Sequence, residues 1–190
     1  MKSSYHTQND NMSNSKGYRV AILGASGYGG IQLVRILNTH PSFKITFLGG
    51  DRTAGNRWND ICPFLPLNED LLIENVDINK ISDVADFVLL SLPNGCASQL
   101  VPQLLQKELR VIDLSADYRY RSLDLWKRIY TQEASNYKRN DYDLCKEASY
   151  GLSEYKPKNI ANSRICASPG CFPTASLLPL IPFLNQGLID

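Results

Sequence analysis

The sequence predicts an α/β fold, a parallel sheet with helices on both faces. Three observations carry that expectation. Short apolar runs such as YRVAIL (18–23) and DFVLLSL (86–92) read as strands buried on both sides. Between such runs lie stretches with apolar residues at helical spacing. Glycine and proline mark the changeovers. Strand, loop, helix and strand in that order form the βαβ unit, which calls for parallel strands joined by crossover helices.

The elements follow in order. YRVAIL runs into the glycine loop GASGYGG (24–30). IQLVRILN (31–38) has apolar residues at 31, 33, 34, 36 and 37, a helical face. His40-Pro41 ends it, because proline disfavours helix in the residue before it. KITFL (44–48) is a second strand, and LLIENV (71–76) a candidate third. DFVLLSL stops at Pro93-Asn94-Gly95. ASQLVPQLLQK (97–107) reads as a helix whose middle is disturbed by Pro102. LRVIDLS (109–115) is another strand. Residues 116–148 mix Tyr and Trp with charges of both signs, which predicts short helices and loops rather than a nucleic-acid surface. RICAS (164–168) then delivers SPGC at the end of a last strand. An apolar run follows at 175–184, with Pro179 and Pro182 predicting a kinked or short helix.

Bulk properties narrow the function. The chain has 190 residues, 43% hydrophobic and 21% charged, as a globular domain with a real core requires. Twenty basic and 19 acidic residues leave a net charge of +1, so no global field points to nucleic acid or a membrane surface. No apolar run reaches the ~18 residues of a membrane span. Five cysteines, at 62, 96, 145, 166 and 171, show no CxxC spacing, and the histidines are His6 and His40 alone. That pattern predicts neither disulfides nor a metal site. A reducing, cytoplasmic location is expected. Residues 1–16, MKSSYHTQNDNMSNSK, are Ser/Asn-rich and predict a disordered tail. They lack a secretory apolar segment, and the acidic Asp10 argues against a plastid transit peptide, the alternative location.

Two sites carry chemistry. In the glycine loop the spacing is Gly24-x-x-Gly27-x-x-Gly30, a variant of GxGxxG. Between a strand and a helix it suits a dinucleotide pyrophosphate, which needs close backbone approach at a helix N-terminus. A tight turn without a ligand is the alternative. Asp51 and Arg52 follow the second strand. Arg52 suits a 2′-phosphate, hence NADP; Asp51 would oppose that phosphate if it pointed inward. The other site is Cys171. It is either a nucleophile at a helix mouth, where the positive helix end favours a thiolate, or a small buried hydrophobe. Cys96, after LPNG at another strand-to-helix turn, is its rival. Cys166 reads as strand core.

The ordered set GASGYGGIQLVRILNTHP, LPNG, VIDLSADYR, YGLSE and SPGCFPTA resembles the N-acetyl-γ-glutamyl-phosphate reductases of arginine biosynthesis, over residues 17–190. Aspartate-semialdehyde dehydrogenase is a more distant relative and an alternative activity. The resemblance implies a Rossmann-type nicotinamide-binding domain at 17–160 and the start of a catalytic α+β domain at 161–190. It implies NADP as cofactor, a small acyl phosphate as substrate, and a homo-oligomer in the full-length family. It assigns Gly24, Ser26, Gly27, Tyr28, Gly30, Arg52 and Pro93 to the cofactor and Cys171 to nucleophilic attack. Ser115 and Arg119 become candidate substrate or phosphate contacts. No metal is implied. Asn94 stands where the family often has His, and Ser168 where it often has Asn. In the family a catalytic domain follows the cysteine and supplies a histidine. The chain is therefore expected to represent the N-terminal half of such an enzyme. A non-catalytic nucleotide-binding module, or one piece of a split enzyme, is the alternative.

Overall fold

The computed structural model describes residues 17–134 and 139–189; the tail expected at 1–16 lies outside them. Seven strands form one sheet: β1 (Tyr18–Leu23), β2 (Phe43–Gly49), β3 (Ile73–Glu74), β4 (Phe87–Leu90), β5 (Arg110–Asp113), β6 (Ser149–Tyr150) and β7 (Ile165–Ala167). Their order is β3-β2-β1-β4-β5-β7-β6, and every pairing is parallel. Among the described residues seven helices lie between strands, α1 (Tyr28–Leu37), α2 (Trp58–Ile61), α3 (Ile78–Val84), α4 (Ala97–Gln106), α5 (Leu123–Ala134), α6 (Tyr142–Glu147) and α7 (Pro157–Ala161), and α8 (Cys171–Asn185) follows β7. Among the described residues no helix is long and apolar enough to cross a membrane.

Side chains along β1 show that both faces are covered. Val20 and Ile22 join Val34 and Leu37 of α1 in one core cluster. Ala21 and Leu23 point the other way, into a cluster with Ile81 of α3 and Val101 and Leu104 of α4. Alternate residues of a strand face opposite sides, so a strand covered on both must be apolar throughout. All four residues from Val20 to Leu23 are fully buried.

Several elements differ from the sequence expectation. α1 starts three residues earlier, inside the glycine motif, because the Gly27 carbonyl accepts the first helical bond from Ile31 N–H at 2.9 Å. The third strand shrinks to two residues; Leu72 forms an antiparallel bridge with Arg57 instead. α4 continues through Pro102, its other face buried by Ala97, Val101, Leu104 and Leu105. Burial of that face, roughly 2 kcal/mol per large side chain, outweighs the ~3 kcal/mol an interior proline costs. α3 was not foreseen. Only Ile81 of it is buried, and its start is fixed by the Asp77 carboxylate, which accepts from Asn79 and Lys80 N–H. The polar stretch after 116 holds α5 and α6, with a break from helical geometry at Tyr130.

The largest departure is α8. It begins at Cys171 itself and runs 15 residues across Pro179 and Pro182. Pro173 falls in its first turn, where a missing N–H costs nothing. No residue of α8 is buried. Phe172 is 83% exposed, and Leu180, Phe183 and Leu184 are exposed too.

Candidate active site

Strand order reverses between β1 and β4, where β1 pairs β2 on one side and β4 on the other. In an open parallel sheet the crevice beyond the carboxyl ends at such a point is where ligands bind. The glycine loop lies there. Gly24 has φ +78°, and a Cβ on it would stand 2.2 Å from the Ser91 carbonyl oxygen. A Cβ on Gly30 would meet the Gly24 and Ala25 oxygens at 2.2 and 2.5 Å. These two glycines let the chain turn sharply and let α1 close onto β1. Gly24 and Ala25 N–H both donate to the Gly49 carbonyl, at 2.9 and 3.0 Å, which pins the loop to β2. Gly27 is exposed and caps α1, and Tyr28, at its first position, is 86% exposed. The first N–H groups of a helix have no partners inside it and face outward, as a pyrophosphate requires.

The β2 loop joins the same mouth. Ser26 Oγ and Thr53 Oγ1 are 2.9 Å apart, bringing the Asp51–Arg52 turn beside the glycine loop. Both Asp51 and Arg52 are exposed. A dinucleotide fits what is present: an open helix end, a glycine-rich backbone, and an exposed arginine on the turn beside the loop. Pro93 is exposed at the end of β4, next along the sheet edge.

The nucleophile candidate stands further along that edge. β7 ends beside β5, where Ser168 N–H donates to the Asp113 carbonyl at 2.8 Å. The chain then turns through Pro169 and Gly170, and Cys171 is the first residue of α8. Its thiol is exposed, at a helix end that favours negative charge. The Gly170 carbonyl receives both N–H and Oγ of Thr174 at 3.0 Å, which fixes the turn. Arg119 lies over this turn. Its Nε donates to the Ser168 carbonyl and its Nη2 to the Leu114 carbonyl, both at 2.9 Å. Its Nη1 faces Gly170, where a Cβ would stand 3.2 Å away. A cleft of about 330 Å³ opens here, lined by Arg119, Tyr120, Tyr130, Tyr150, Cys171 and Phe172 among others. Burial pushes the Tyr150 phenol up, and the Arg119 charge works against it.

The other cysteines are differently placed. Cys62 and Cys145 are buried, and burial pushes the Cys145 thiol up to about 11. Cys166 is half-buried in β7, its thiol also raised by burial. Cys96, the rival, caps α4. It does not line the Cys171 cleft.

Ser115 is not brought to that cleft either. It is 4% exposed, and its hydroxyl donates to Asp113 Oδ2 at 2.8 Å and accepts from Asp117 N–H at 3.2 Å. Ser115 thus orders the loop that carries Arg119. Asp113 is fully buried, and its carboxyl is pushed up to about 6 by burial, against two bonds from Ser115.

A buried polar web beneath the two mouths was not read from the sequence. Asp117 accepts from Gly95 N–H at 2.6 Å and Ser98 N–H at 2.9 Å, capping α4 and holding the loop after β4. Burial pushes its carboxyl up, opposed by those two bonds. Asn94 Oδ1 accepts from Ala116 N–H at 2.9 Å. The buried Arg139 guanidinium donates to the Asp117 carbonyl, pairs with Asp141 at 2.8 Å, and stacks on Trp126 at 4.2 Å. The loops after β4 and β5 are therefore one hydrogen-bonded body, and Arg119 ties the turn before Cys171 to it. The hint in the sequence was the close packing of acidic and aromatic residues in LSADYR; the partner Arg139 lies 22 residues from Asp117.

Comparison with known proteins agrees with this geometry. Residues 19–163 match the family described as semialdehyde dehydrogenase, NAD binding domain. The chain belongs to that family. The NAD binding domain of that family implies a nicotinamide cofactor. Proteins of known structure share the architecture. Aspartate semialdehyde dehydrogenase II from Vibrio cholerae, complexed with ASA, superposes with a TM-score of 0.64 at 22% identity, covering 90% of this chain and 47% of that one. The Candida albicans enzyme, with NADP, gives 0.62 at 16% identity over 90% and 47%. At such identities the likeness shows the fold alone. Sequence relatives are more similar. N-acetyl-gamma-glutamyl-phosphate reductase of Prochlorococcus marinus strain MIT 9211 is 57% identical over 179 residues, 94% of this chain and 50% of that protein. The protein of the same name from Parasynechococcus marenigrum strain WH8102 is 59% identical over 172 residues, 90% and 48%. The chain spans about half the length of the curated relatives it matches.

Proposed function

We propose that this chain carries the cofactor site and the nucleophile of an NADP-dependent N-acetyl-γ-glutamyl-phosphate reductase of arginine biosynthesis. The observation that supports it most is the placement of Cys171: an exposed thiol at the first position of α8, under Arg119, on the sheet edge that also carries the glycine loop.

Cys171 Sγ, as thiolate, attacks the acyl carbon of the acyl phosphate. The S–C bond forms, the C–O bond to phosphorus breaks, and phosphate leaves with the electron pair. Arg119 Nη1 and the N–H groups opening α8 stabilise the charge that develops on oxygen. Gly24, Ser26, Gly27, Tyr28 and Gly30 hold the dinucleotide, Arg52 meets its 2′-phosphate, and Pro93 borders its nicotinamide end. When bound, that cofactor supplies the hydride that releases the acyl group as an aldehyde. Ser115 and Asp117 keep the Arg119 loop in register and exclude water from beneath it.

The acylation half-reaction needs no hydride and can be read by mass. Incubating the chain with N-acetyl-γ-glutamyl phosphate, without cofactor, should release phosphate and leave one acyl group on the tryptic peptide carrying Cys171. Cys171→Ser should show neither. Acyl transfer to Cys96, or phosphate release unchanged in the variant, would overturn the assignment.

A further inference from the structure

A second cleft, of about 230 Å³, adjoins the Cys171 cleft and shares Arg119 and Tyr150 with it. Its character is cationic. Arg119, Arg121 and Lys156 line it, against one acidic residue, Glu147. Glu147 is already neutralised: its two oxygens accept from Arg164 Nε and Nη2, both at 2.7 Å. Arg121 and Lys156 form no ion pair among the described residues. Asn159 also lines the cleft, with its backbone carbonyl held by the Ser149 hydroxyl at 3.3 Å. The chain places these groups deliberately. Pairing of β6 with β7 sets Tyr150 opposite Ala167, four residues before Cys171, and α7 carries Asn159 just after Lys156.

A γ-glutamyl phosphate has two acidic ends. One is the activated acyl group; the other is the α-carboxylate, a few bonds away. With the acyl carbon at Cys171, the second end needs a cationic pocket close beside it. We infer that the cleft of Arg121, Lys156 and Asn159 is a carboxylate subsite, which selects acyl phosphates that bear a second, free carboxylate. This rests on the acyl-phosphate reading above. Arg119 stands between the two clefts, with Nη1 on the Cys171 side. The subsite is a specificity element and takes no part in bond making. Removing it weakens binding of a carboxylate-bearing substrate and leaves the reactivity of the thiol intact.

The test is protection of Cys171 from iodoacetamide, followed on its own tryptic peptide, in the 190-residue chain. The probes are N-acetyl-L-glutamate and 4-acetamidobutyrate, which is the same molecule without the α-carboxylate. N-acetyl-L-glutamate should protect at a concentration about tenfold lower, the size of one charge-assisted hydrogen bond. Arg121→Gln with Lys156→Gln should erase that advantage and leave protection by 4-acetamidobutyrate unchanged. Lys156→Arg alone should retain it. Both positions are exposed, so the variants are expected to fold, and an unchanged thermal midpoint checks that. Equal protection by the two probes in the parent, or an equal loss of both in the variant, overturns the subsite while the Cys171 reading stands. If inorganic phosphate protects the parent and not the double variant, the cleft takes the phosphoryl group and the inference is wrong. Protection by neither probe, with NADPH binding intact, removes the substrate reading and the subsite together.

Discussion

α1 and α8 are built alike and end up unlike. Each follows a parallel strand, turns on a glycine that serves as N-cap, and opens its first N–H groups toward the same sheet edge. α1 buries Gly30, Val34 and Leu37 at positions four and three apart, one face of a helix. α8 is apolar on most sides and has no fully buried residue; Thr174, Leu177, Leu178 and Ile181 are half-buried. The glycine-loop helix is thus held by its own domain, with backbone contacts too tight for a methyl group. The cysteine helix is tied at its start by Arg119, through the Ser168 carbonyl, and beyond the first turn only half-buries Leu177, Leu178 and Ile181. The lesson is that the same strand–glycine–helix construction takes its rigidity from what the helix packs against, and within these residues α1 has such a partner face and α8 has little of one.

The hardest blow to this comparison falls on the rigid side. Gly30→Ala puts a methyl against the Gly24 and Ala25 backbone oxygens, so α1 must move off the glycine loop. In an open helix the same change gains about 1 kcal/mol. Here it should cost about 3 kcal/mol in urea unfolding and abolish dinucleotide binding. A gain in stability would mean that α1 is as loosely held as α8.

The floor of the Cys171 turn can be tested by pH. Asp113 has a folded pKa raised to about 6 by burial, above the value near 4 of an unfolded chain. Between those values the folded state binds the extra proton, so stability falls as pH rises. The contribution is fully present below about pH 4 and is lost as pH rises through about 6. Asp113→Asn has no such proton to lose. Relative to the parent, it should become more stable by roughly 1–3 kcal/mol between pH 4 and 7. A parallel pH course in both proteins would show that Asp113 is not desolvated.

A smaller effect separates presented from packed thiols. Cys171 is exposed and Cys145 is buried with its thiol raised to about 11. At pH 8, iodoacetamide should alkylate Cys171 at least about tenfold faster. Comparable rates would mean that the α8 mouth is closed. The smallest expected change is Phe172→Ser. With 83% of the residue exposed, stability should move by no more than about 0.5 kcal/mol, while self-association of the chain falls. A loss of several kcal/mol would show that α8 is packed after all.

Much of the rigid side was legible in the sequence. YRVAIL and GASGYGG signal strand and turn through local composition, and the Val34–Leu37 spacing signals α1 without outside help. The start of α1 was misplaced because Tyr28, Gly29 and Gly30 are poor helix formers, and the close approach of Gly30 to Gly24 and Ala25 is visible only in three dimensions. α3 escaped notice because INKISDV buries one side chain and has no stripe. The cysteine side was legible as a motif and hardly as a structure. SPGC located the turn, but the prolines suggested a break that α8 does not have. What surrounds Cys171 comes from far away: Arg119 from the loop after β5, Tyr130 from α5, Tyr150 from an edge strand of two residues. Ser115 looked available for a substrate because the short motif around it does not reveal that its hydroxyl is buried between Asp113 and Asp117.

Strand order also sets a sequence of assembly. β6 is made before β7 yet lies outside it, and β6 pairs with β7 alone among the described strands. Until residues 165–167 slide between them, β5 has an open edge and β6 has nothing to join. Residues 165–167 are therefore the wedge that joins β6 to the rest of the sheet. The thiol follows it by four residues. A nascent chain can complete the dinucleotide crevice early, but it acquires a positioned Cys171 only once β7 is seated between β5 and β6.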